Sequence, residues 1–396
     1  MSGCAGCGRG ALVAVLDVGA QPIASHFLPD RAAVAPTHRL AVGICERCGL
    51  LQQLEPPAPQ TLVPPYDWIT VNEPELHLDN LADTITALAG GPGAVAAGAT
   101  FKDDSLLRRL AERGFRTWRI APDADLGEPD ARASLPAVQE RLDEDTAAAL
   151  AARHGPASVV VARQILEHMA DPRRFVAALA RLVRPDGLLV LEVPDCARSL
   201  ESLDYTTLWE EHTLYFTEPT YHRFLADNDV ELVHAERFPY PVEDSLVAVV
   251  RPSRAVPTEP DAASVSYERE RAERFAGKLP DRLHAWQSFL ADRSARAPVA
   301  LFGAGHLSCM FLCLMGVGDR VAFVADDNPH KQGLLMPGSY VPIRGSQALL
   351  DEGVGLCLLG VGPESEDAIV RKNAAFVERG GTIASLLPAS TRALTP

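Results

Sequence analysis

No apolar run in these 396 residues approaches the length that spans a bilayer, and the opening Met1 to Gly10 lacks a charged start followed by an apolar stretch. Neither a spanning helix nor an export leader is expected, so the chain reads as cytoplasmic, without a membrane partner. Basic residues are in short supply: Lys and Arg number 37 against 52 Asp and Glu, a net charge of −15. That balance opposes attraction to a phosphate backbone. Nucleic acid is set aside as a partner, and a small molecule is the expected substrate. Internal repeats and low-complexity tracts are absent. Cysteine is sparse, at eight residues. Four lie in two short motifs, and Cys196, Cys309, Cys313 and Cys357 sit in apolar or mixed surroundings as reduced core residues.

The two motifs are Cys4-Ala5-Gly6-Cys7 and Cys45-Glu46-Arg47-Cys48, each followed by Gly (Gly8, Gly49). A Cys-x-x-Cys turn places two thiolates on one knuckle, and two knuckles make the tetrahedron that zinc prefers. A disulfide pair or a redox Cys-x-x-Cys fits less well two matched knuckles separated by the hydrophobic segment Ala11 to Val42. With all four positions filled by protein, the metal would staple the fold and take no part in chemistry.

A chain of this length carries two or three domains. The metal segment is read as 1–65, ending in the Pro-rich stretch around Pro56-Pro57 and Pro64-Pro65. A middle domain is read as 66–255. Its strands, Ala94 to Ala97, Thr117 to Ile120, Val159 to Ala162 and Leu188 to Val193, alternate with helices near Glu75 to Leu88, Ser105 to Ala111 and Pro172 to Leu182. Such alternation predicts a parallel, doubly wound sheet. After a second Pro-bearing break at Pro252 to Pro260, a last domain, 256–396, opens with a charged helix from Tyr267 to Ala291. A second Rossmann-like half follows, with Val299 to Phe302 running into Gly303-Ala304-Gly305-His306 and Val321 to Val324 running into Asp326-Asp327-Asn328.

The middle layout is similar to class I methyltransferases, which bind S-adenosylmethionine at the carboxyl ends of the first two strands. Two features are expected there, a Gly-rich loop and an acid for the ribose hydroxyls. The loop here, Gly98-Ala99-Thr100-Phe101-Lys102-Asp103-Asp104, has one Gly, and Ala121 stands where the acid is expected, followed by Pro122-Asp123. Asp103 or Asp104 would meet the cofactor's ammonium and Asp123 or Asp125 its ribose, although a plain helix N-terminus also explains the first cluster. Gly98, Thr100, Lys102, Asp103, Asp104, Pro122, Asp123, Gln164 and His168 are the cofactor candidates. His168 equally suits a place at the cap of the next helix, beside Asp171 and Pro172.

The densest constellation is Asp204-Tyr205-Thr206-Thr207-Leu208-Trp209-Glu210-Glu211-His212-Thr213-Leu214-Tyr215-Phe216, placed after a strand end and so near the ligand crevice. A His beside a carboxylate suits proton abstraction next to a carbonyl, because imidazole titrates near working pH. Solvated glutamates with a structural histidine would look the same. In the last domain the Gly303 and Gly305 turn with His306 suits a phosphate, and Asp327, Asn328 and Lys331 supply hydroxyl acceptors and a cation. A plain Asx-Pro turn is the alternative there.

Taken together, the four cysteines, Asp17-Val18-Gly19-Ala20-Gln21-Pro22, Gln164-Ile165-Leu166-Glu167-His168, Glu211-His212 with Tyr215-Phe216, and the blocks at Gly303 to Gly305, Asp326 to Gly333 and Pro337-Gly338 carry a resemblance over almost the whole chain. The chain resembles the three-part sugar C-methyltransferases of deoxysugar biosynthesis. The fold class implied is α/β: a small N-terminal zinc-binding domain, a central doubly wound methyltransferase domain and a C-terminal Rossmann-like domain. The resemblance implies S-adenosylmethionine and zinc as cofactors and, as substrate, a nucleotide-linked keto-deoxysugar or a similar small molecule with an acidic carbon. His212 would be the base that makes the enolate, with Glu211 orienting it. Trp209 takes a position that is tyrosine in the family, leaving Tyr205, Tyr215 or Tyr66 to support the enolate, and it joins the substrate-contact candidates. Alternatives from other classes are an enolising isomerase, epimerase or lyase on the same scaffold, and a binding module without catalysis. A monomer or small homo-oligomer is expected.

Overall fold

The computed structural model describes residues 3–69, 73–253 and 259–396. Most of the Pro-bearing break at Pro252 to Pro260, and with it the boundary at 255/256, lies outside the described residues. In chain order the strands are β1 (Leu12–Pro22), β2 (Thr37–Cys45), β3 (Leu51–Gln53), β4 (Val95–Gly98), β5 (Arg116–Arg119), β6 (Ala157–Arg163), β7 (Val183–Asp195), β8 (Leu214–Tyr215), β9 (Val230–Phe238), β10 (Asp244–Pro252), β11 (Val299–Phe302), β12 (Phe323–Ala325), β13 (Ile343–Arg344), β14 (Leu356–Leu359) and β15 (Thr382–Ser385). They form sheets ordered β1-β2-β3-β8, β5-β4-β6-β7-β10-β9 and β13-β12-β11-β14-β15. The α/β class with Rossmann-like sheets and an N-terminal cysteine cluster is the one the sequence implied.

Two compact units divide the chain. The first comprises Met1–Ala14, Val42–Ala197 and Glu211–Glu270; the second comprises Val15–Ala41, Arg198–Glu210 and Arg271–Pro396. In the first, β4, β5, β6 and β7 run parallel, and β10 and β9 extend the sheet antiparallel from β7. A strand covered on both faces needs no polar side, which is why Val159, Val160, Val161 and Ala162 are all apolar and fully buried. Val160 and Ala162 join one core with Leu189 and Leu191, while Val159 and Val161 join another with Leu188 and Val190. The helix Pro172–Leu182 starts where Asp171 accepts the Arg174 N–H at 3.0 Å and Pro172 needs no N–H partner. It buries Phe175, Val176, Leu179 and Leu182, each worth about 1.5–3 kcal/mol.

The second unit contains an all-parallel sheet, β13 to β15. Ala300, Phe302, Phe323, Ala325, Cys357 and Leu359 share one core with Leu349 and Phe376. Among the described residues no helix is long and apolar enough to cross a membrane.

Candidate active site and cysteine centre

Each Cys-x-x-Cys segment folds as a tight knuckle. The Cys7 N–H points at Cys4 Sγ (3.5 Å) and the Cys48 N–H at Cys45 Sγ (3.4 Å). Gly8 and Gly49, at φ of 67° and 73°, close the two turns onto the Cys4 and Cys45 carbonyls. Cys4 Sγ lies 3.7 Å from Cys48 Sγ and Cys7 Sγ 3.8 Å from Cys45 Sγ, and all four sulfurs lie within 4.8 Å of one another. A disulfide needs about 2.05 Å, so the four thiols are free as well as buried.

Chain order in the first unit's sheet reverses between β4 and β6, and the crevice outside their carboxyl ends is where such sheets bind ligands. Gly98 does not leave open space there. A Cβ on it would come 2.8 Å from Leu107 Cδ1 and 3.0 Å from Asp103 Cβ, so its bareness serves the packing of the next helix. Beyond it, Thr100 Oγ1 accepts from the Lys102 N–H (3.2 Å) and Asp103 Oδ2 from the Thr100 N–H (2.8 Å), a reciprocal cap. Asp103 Oδ1 also takes the Arg163 N–H at 2.8 Å, and burial pushes this carboxyl up to about 7. Asp104 is exposed and pairs with Arg119 at 2.8 Å. After β5, Pro122 opens the short helix Pro122–Leu126 with Asp123 exposed in its first turn, while Asp125 accepts from the Ala121 N–H at 2.8 Å.

Lys102 is buried, and its ammonium donates to the Gln164 carbonyl at 2.5 Å and pairs with Glu73 Oε1 at 2.8 Å. Gln164 presents that carbonyl at φ of 50°, a left-handed backbone rare for a side chain of its kind. Its own amide turns the other way, to Glu192 Oε1 at 3.2 Å. Beneath this lies a buried ionic network that the motif reading missed. Arg163 and Glu192 face each other in register across β6 and β7 and bond at 2.5 Å, with both side chains fully buried. Arg163 further donates to the carbonyls of Lys102 (2.9 Å) and Pro74 (2.6 Å), and Ser245 and His77 reach Glu192 Oε1 at 2.6 and 3.3 Å. Burial opposes ionisation of Glu192, but Arg163 and His77 outweigh it and the carboxyl falls to about 2. The sequence signal was a pair of opposite charges at the carboxyl ends of adjacent apolar strands.

The second chemical cluster stands on the 3₁₀ turn Leu166–His168 that follows β6. Thr213 ties the His212 segment to it: its N–H and Oγ1 both donate to the Glu167 carbonyl, at 2.8 and 2.9 Å, and Oγ1 also reaches the Met169 carbonyl at 2.7 Å. His168 and His212 therefore meet, their rings edge to face with centroids 4.8 Å apart, and His168 Nε2 lies 3.6 Å from Glu167 Oε1. The ligand atoms of Glu167, His168 and His212 all fall within 4.8 Å of one another. Burial pushes the Glu167 carboxyl up to about 8, and its buried Oε2 has no hydrogen-bond partner. Burial also holds His168 well below its ordinary range, helped by Lys102 and His212. The imidazole beside His212 is thus neutral. His212 and Glu211 are half-buried, and Tyr215 is buried with its ring 6.4 Å from that of His212. Tyr66 stacks on Trp68 with centroids 4.9 Å apart. Of these residues, sequence reasoning singled out His168, His212, Glu211, Tyr215 and Tyr66, and passed over Glu167 and Thr213.

In the second unit Trp209 stacks on His306, centroids 4.4 Å apart and planes 16° from parallel, and burial lowers the His306 imidazole to about 4. Gly303 takes φ of 99° to turn out of β11, and a Cβ there would collide with Val361. Gly305 caps the helix His306–Leu314, and a Cβ on it would meet nothing within 4 Å. Asp326, not among the chosen candidates, is the acid that reaches this turn: its Oδ2 takes the Ala304 N–H at 2.8 Å and the Lys331 ammonium at 3.1 Å. Lys331 also donates to the Ala304 carbonyl at 2.6 Å. Asp327 instead binds Ser346 (2.7 Å) and Lys372 (2.6 Å), and Asn328 Oδ1 accepts from the His330 N–H at 3.0 Å in an Asx turn.

Residues 5–235 match the family model described as a methyltransferase domain, and residues 255–388 match that of a C-methyltransferase C-terminal domain. The chain is similar to the C-methyltransferase NovU of Streptomyces niveus, 23% identical over 409 residues that cover 97% of this chain and 95% of the relative. A ubiquinone biosynthesis O-methyltransferase of Caulobacter sp. (strain K31) is 33% identical over 87 residues, 22% of this chain and 31% of its own. Among solved structures, the 1,6-didemethyltoxoflavin-N1-methyltransferase of Burkholderia thailandensis, with S-adenosylhomocysteine bound, covers 45% of this chain and 79% of its own at 17% identity and a TM-score of 0.32.

Proposed function

Because the chain belongs to the methyltransferase-domain family and is an S-adenosylmethionine-dependent C-methyltransferase, we propose that it methylates the acidic carbon beside the keto group of a nucleotide-linked deoxysugar. The observation that carries this reading is the meeting of His212 with His168 and Glu167 beyond the carboxyl end of β6. A carbon beside a ketone gives up its proton only to a positioned base, and the adjoining His168, held neutral by burial, does not repel the proton His212 receives. Glu211 orients His212, and Tyr215 or Tyr66 offers a hydroxyl to the enolate oxygen.

The crevice between β4 and β6 suits the cofactor's ammonium, since Glu73 and the Gln164 carbonyl already receive a primary ammonium, that of Lys102. Glu73, Gln164 and the Thr100 to Asp104 loop would hold the cofactor's amino-acid end, and Pro122 and Asp123 its ribose. When bound, the cofactor supplies an electrophilic methyl group. The chain's part is to hold substrate, take the proton on the His212 imidazole and keep water from the enolate.

In the second unit, Trp209 and His306 beside the open Gly305 turn would receive the nucleotide, with Lys331 near its phosphates. The division into 1–65, 66–255 and 256–396 belongs to the same reading. So does zinc on the four cysteines: with Zn–S bonds of about 2.3 Å a tetrahedron has edges of about 3.8 Å, against the 3.7 and 3.8 Å found.

The test is to supply nucleotide-linked 4-keto-deoxysugars in deuterated water, with and without S-adenosylmethionine, and analyse the sugar by mass spectrometry. A methylated product with the cofactor, and deuterium uptake at the adjacent carbon without it, are expected. Uptake without methylation at any cofactor concentration would favour an enolising enzyme instead, and neither signal with any keto-sugar would end the proposal.

A further inference from the structure

Lys102 is buried at the carboxyl end of β4, and its side chain crosses to Gln164, the residue that follows β6. Its main chain is fixed at both ends, the N–H on Thr100 Oγ1 at 3.2 Å and the carbonyl under Arg163 Nη1 at 2.9 Å. Only the four-carbon stem is left to move. Its ammonium is held by one carboxylate oxygen, Glu73 Oε1 at 2.8 Å, and one carbonyl, that of Gln164 at 2.5 Å. These are the acceptors a primary ammonium wants, and Gln164 presents its carbonyl here from a backbone at φ of 50°, held by its own N–H on the Glu192 carbonyl at 2.8 Å.

S-adenosylmethionine carries a primary ammonium of the same chemistry at its amino-acid end. Resting on the reading that this crevice is the cofactor site, we propose that Lys102 occupies the cofactor's ammonium subsite and thereby sets the chain's affinity for it. Two ammonium groups cannot share one carboxylate oxygen and one carbonyl, so cofactor binds only the fraction of molecules in which the Lys102 side chain has swung out. Apparent affinity falls by that fraction. Lys102 is therefore a competitor for the cofactor's place, and Glu73 and the Gln164 carbonyl are the partners both contend for.

The experiment is calorimetry on the full chain, wild type against Lys102→Met, with two probes: S-adenosylhomocysteine, which keeps the amino-acid end, and 5′-methylthioadenosine, which lacks it. The variant is expected to bind S-adenosylhomocysteine about 10- to 100-fold more tightly, as for a subsite blocked in 90–99% of molecules, and 5′-methylthioadenosine within about twofold of wild type. Glu73→Gln, with Lys102 intact, is the second variant: it removes the carboxylate both ammonium groups need, so S-adenosylhomocysteine binding should not tighten and 5′-methylthioadenosine should again be unmoved. If Lys102→Met binds S-adenosylhomocysteine no better, or both probes shift together, Lys102 does not compete for the ammonium subsite and the inference is overturned while the crevice remains the cofactor site. If neither probe binds any of the three folded proteins, the cofactor reading of the crevice fails first and takes the inference with it.

Discussion

The ring of His168 stands edge-on to the ring of His212, with centroids 4.8 Å apart and planes at 89°. One of the pair is buried and neutral and the other half-buried, so the two are not interchangeable. Changing His212 to Ala should cost about 10²- to 10⁴-fold in turnover with substrate binding kept, because a general base acts only in the transition state. Glu211→Gln should lose less and shift the pH profile. The comparison of kcat with KM on folded variants decides it, and turnover near wild type in His212→Ala would move the base elsewhere.

Glu167 ties stability to pH. Burial raises its carboxyl to about 8 from 4.5, so between those values the native state holds a proton that the unfolded chain has released. Its contribution to stability is whole below 4.5 and fades as pH rises through about 8. Urea unfolding across that window should show a decline that is shallower in Glu167→Gln. Parallel curves for the two proteins would refute the assignment.

The ion pair of Arg163 with Glu192 is fully buried, so removing one partner strands a charge. Arg163→Met should destabilise by about 3–5 kcal/mol, and adding Glu192→Gln should recover part of that loss. Equilibrium denaturation of the single and double variants reads the difference.

Gly303 and Gly305 should separate folding from binding within one turn. Gly303→Ala should lower the melting temperature, since its φ of 99° and its contact with Val361 leave no room for a Cβ. Gly305→Ala meets open space and an ordinary extended backbone, so the fold should persist while KM for the nucleotide-linked substrate rises. An unchanged KM would place the nucleotide elsewhere.

Metal analysis should find one zinc per chain. Cys45→Ser should lose it, and a strong chelator should lower the unfolding temperature of wild type but not of that variant. Metal-free protein with four reduced thiols and an unchanged transition would rule zinc out.

Spacing carried the cysteine knuckles and the parallel strands, because both obey short-range rules: two residues between thiols, and apolar runs bounded by turns. The helix Pro172–Leu182 has the bounds read from the sequence and starts at the Asp171 cap and Pro172. The antiparallel β9 escaped notice because its side chains are mostly exposed, as in Glu231, Glu236 and Arg237, and edge strands carry no continuous apolar signal. The site was legible as far as residue type allows. His168 and His212 were named separately, but their meeting depends on Thr213, whose tether to the Glu167 carbonyl is a tertiary bond that no local pattern announces. For the same reason Asp327 looked as good as Asp326: adjacent acids are equivalent in sequence, and only the direction of the chain leaving β12 selects which one reaches the Gly turn.

Gln53 gives the cysteine centre a reach its distance from the chemistry conceals. Its main-chain N–H binds the Thr213 carbonyl at 2.8 Å and its side-chain amide binds the His212 carbonyl at 2.9 Å, while β3, to which it belongs, pairs with β2, the strand that ends at Cys45. The peptide that carries His212 is thus clamped from the N-terminal sheet as well as from the turn after β6. A chain whose knuckles loosen would keep its central sheet but lose one of the two holds on His212, so, if His212 is the base proposed above, damage to the cysteines would surface first as a slow enzyme and only afterwards as an unfolded one.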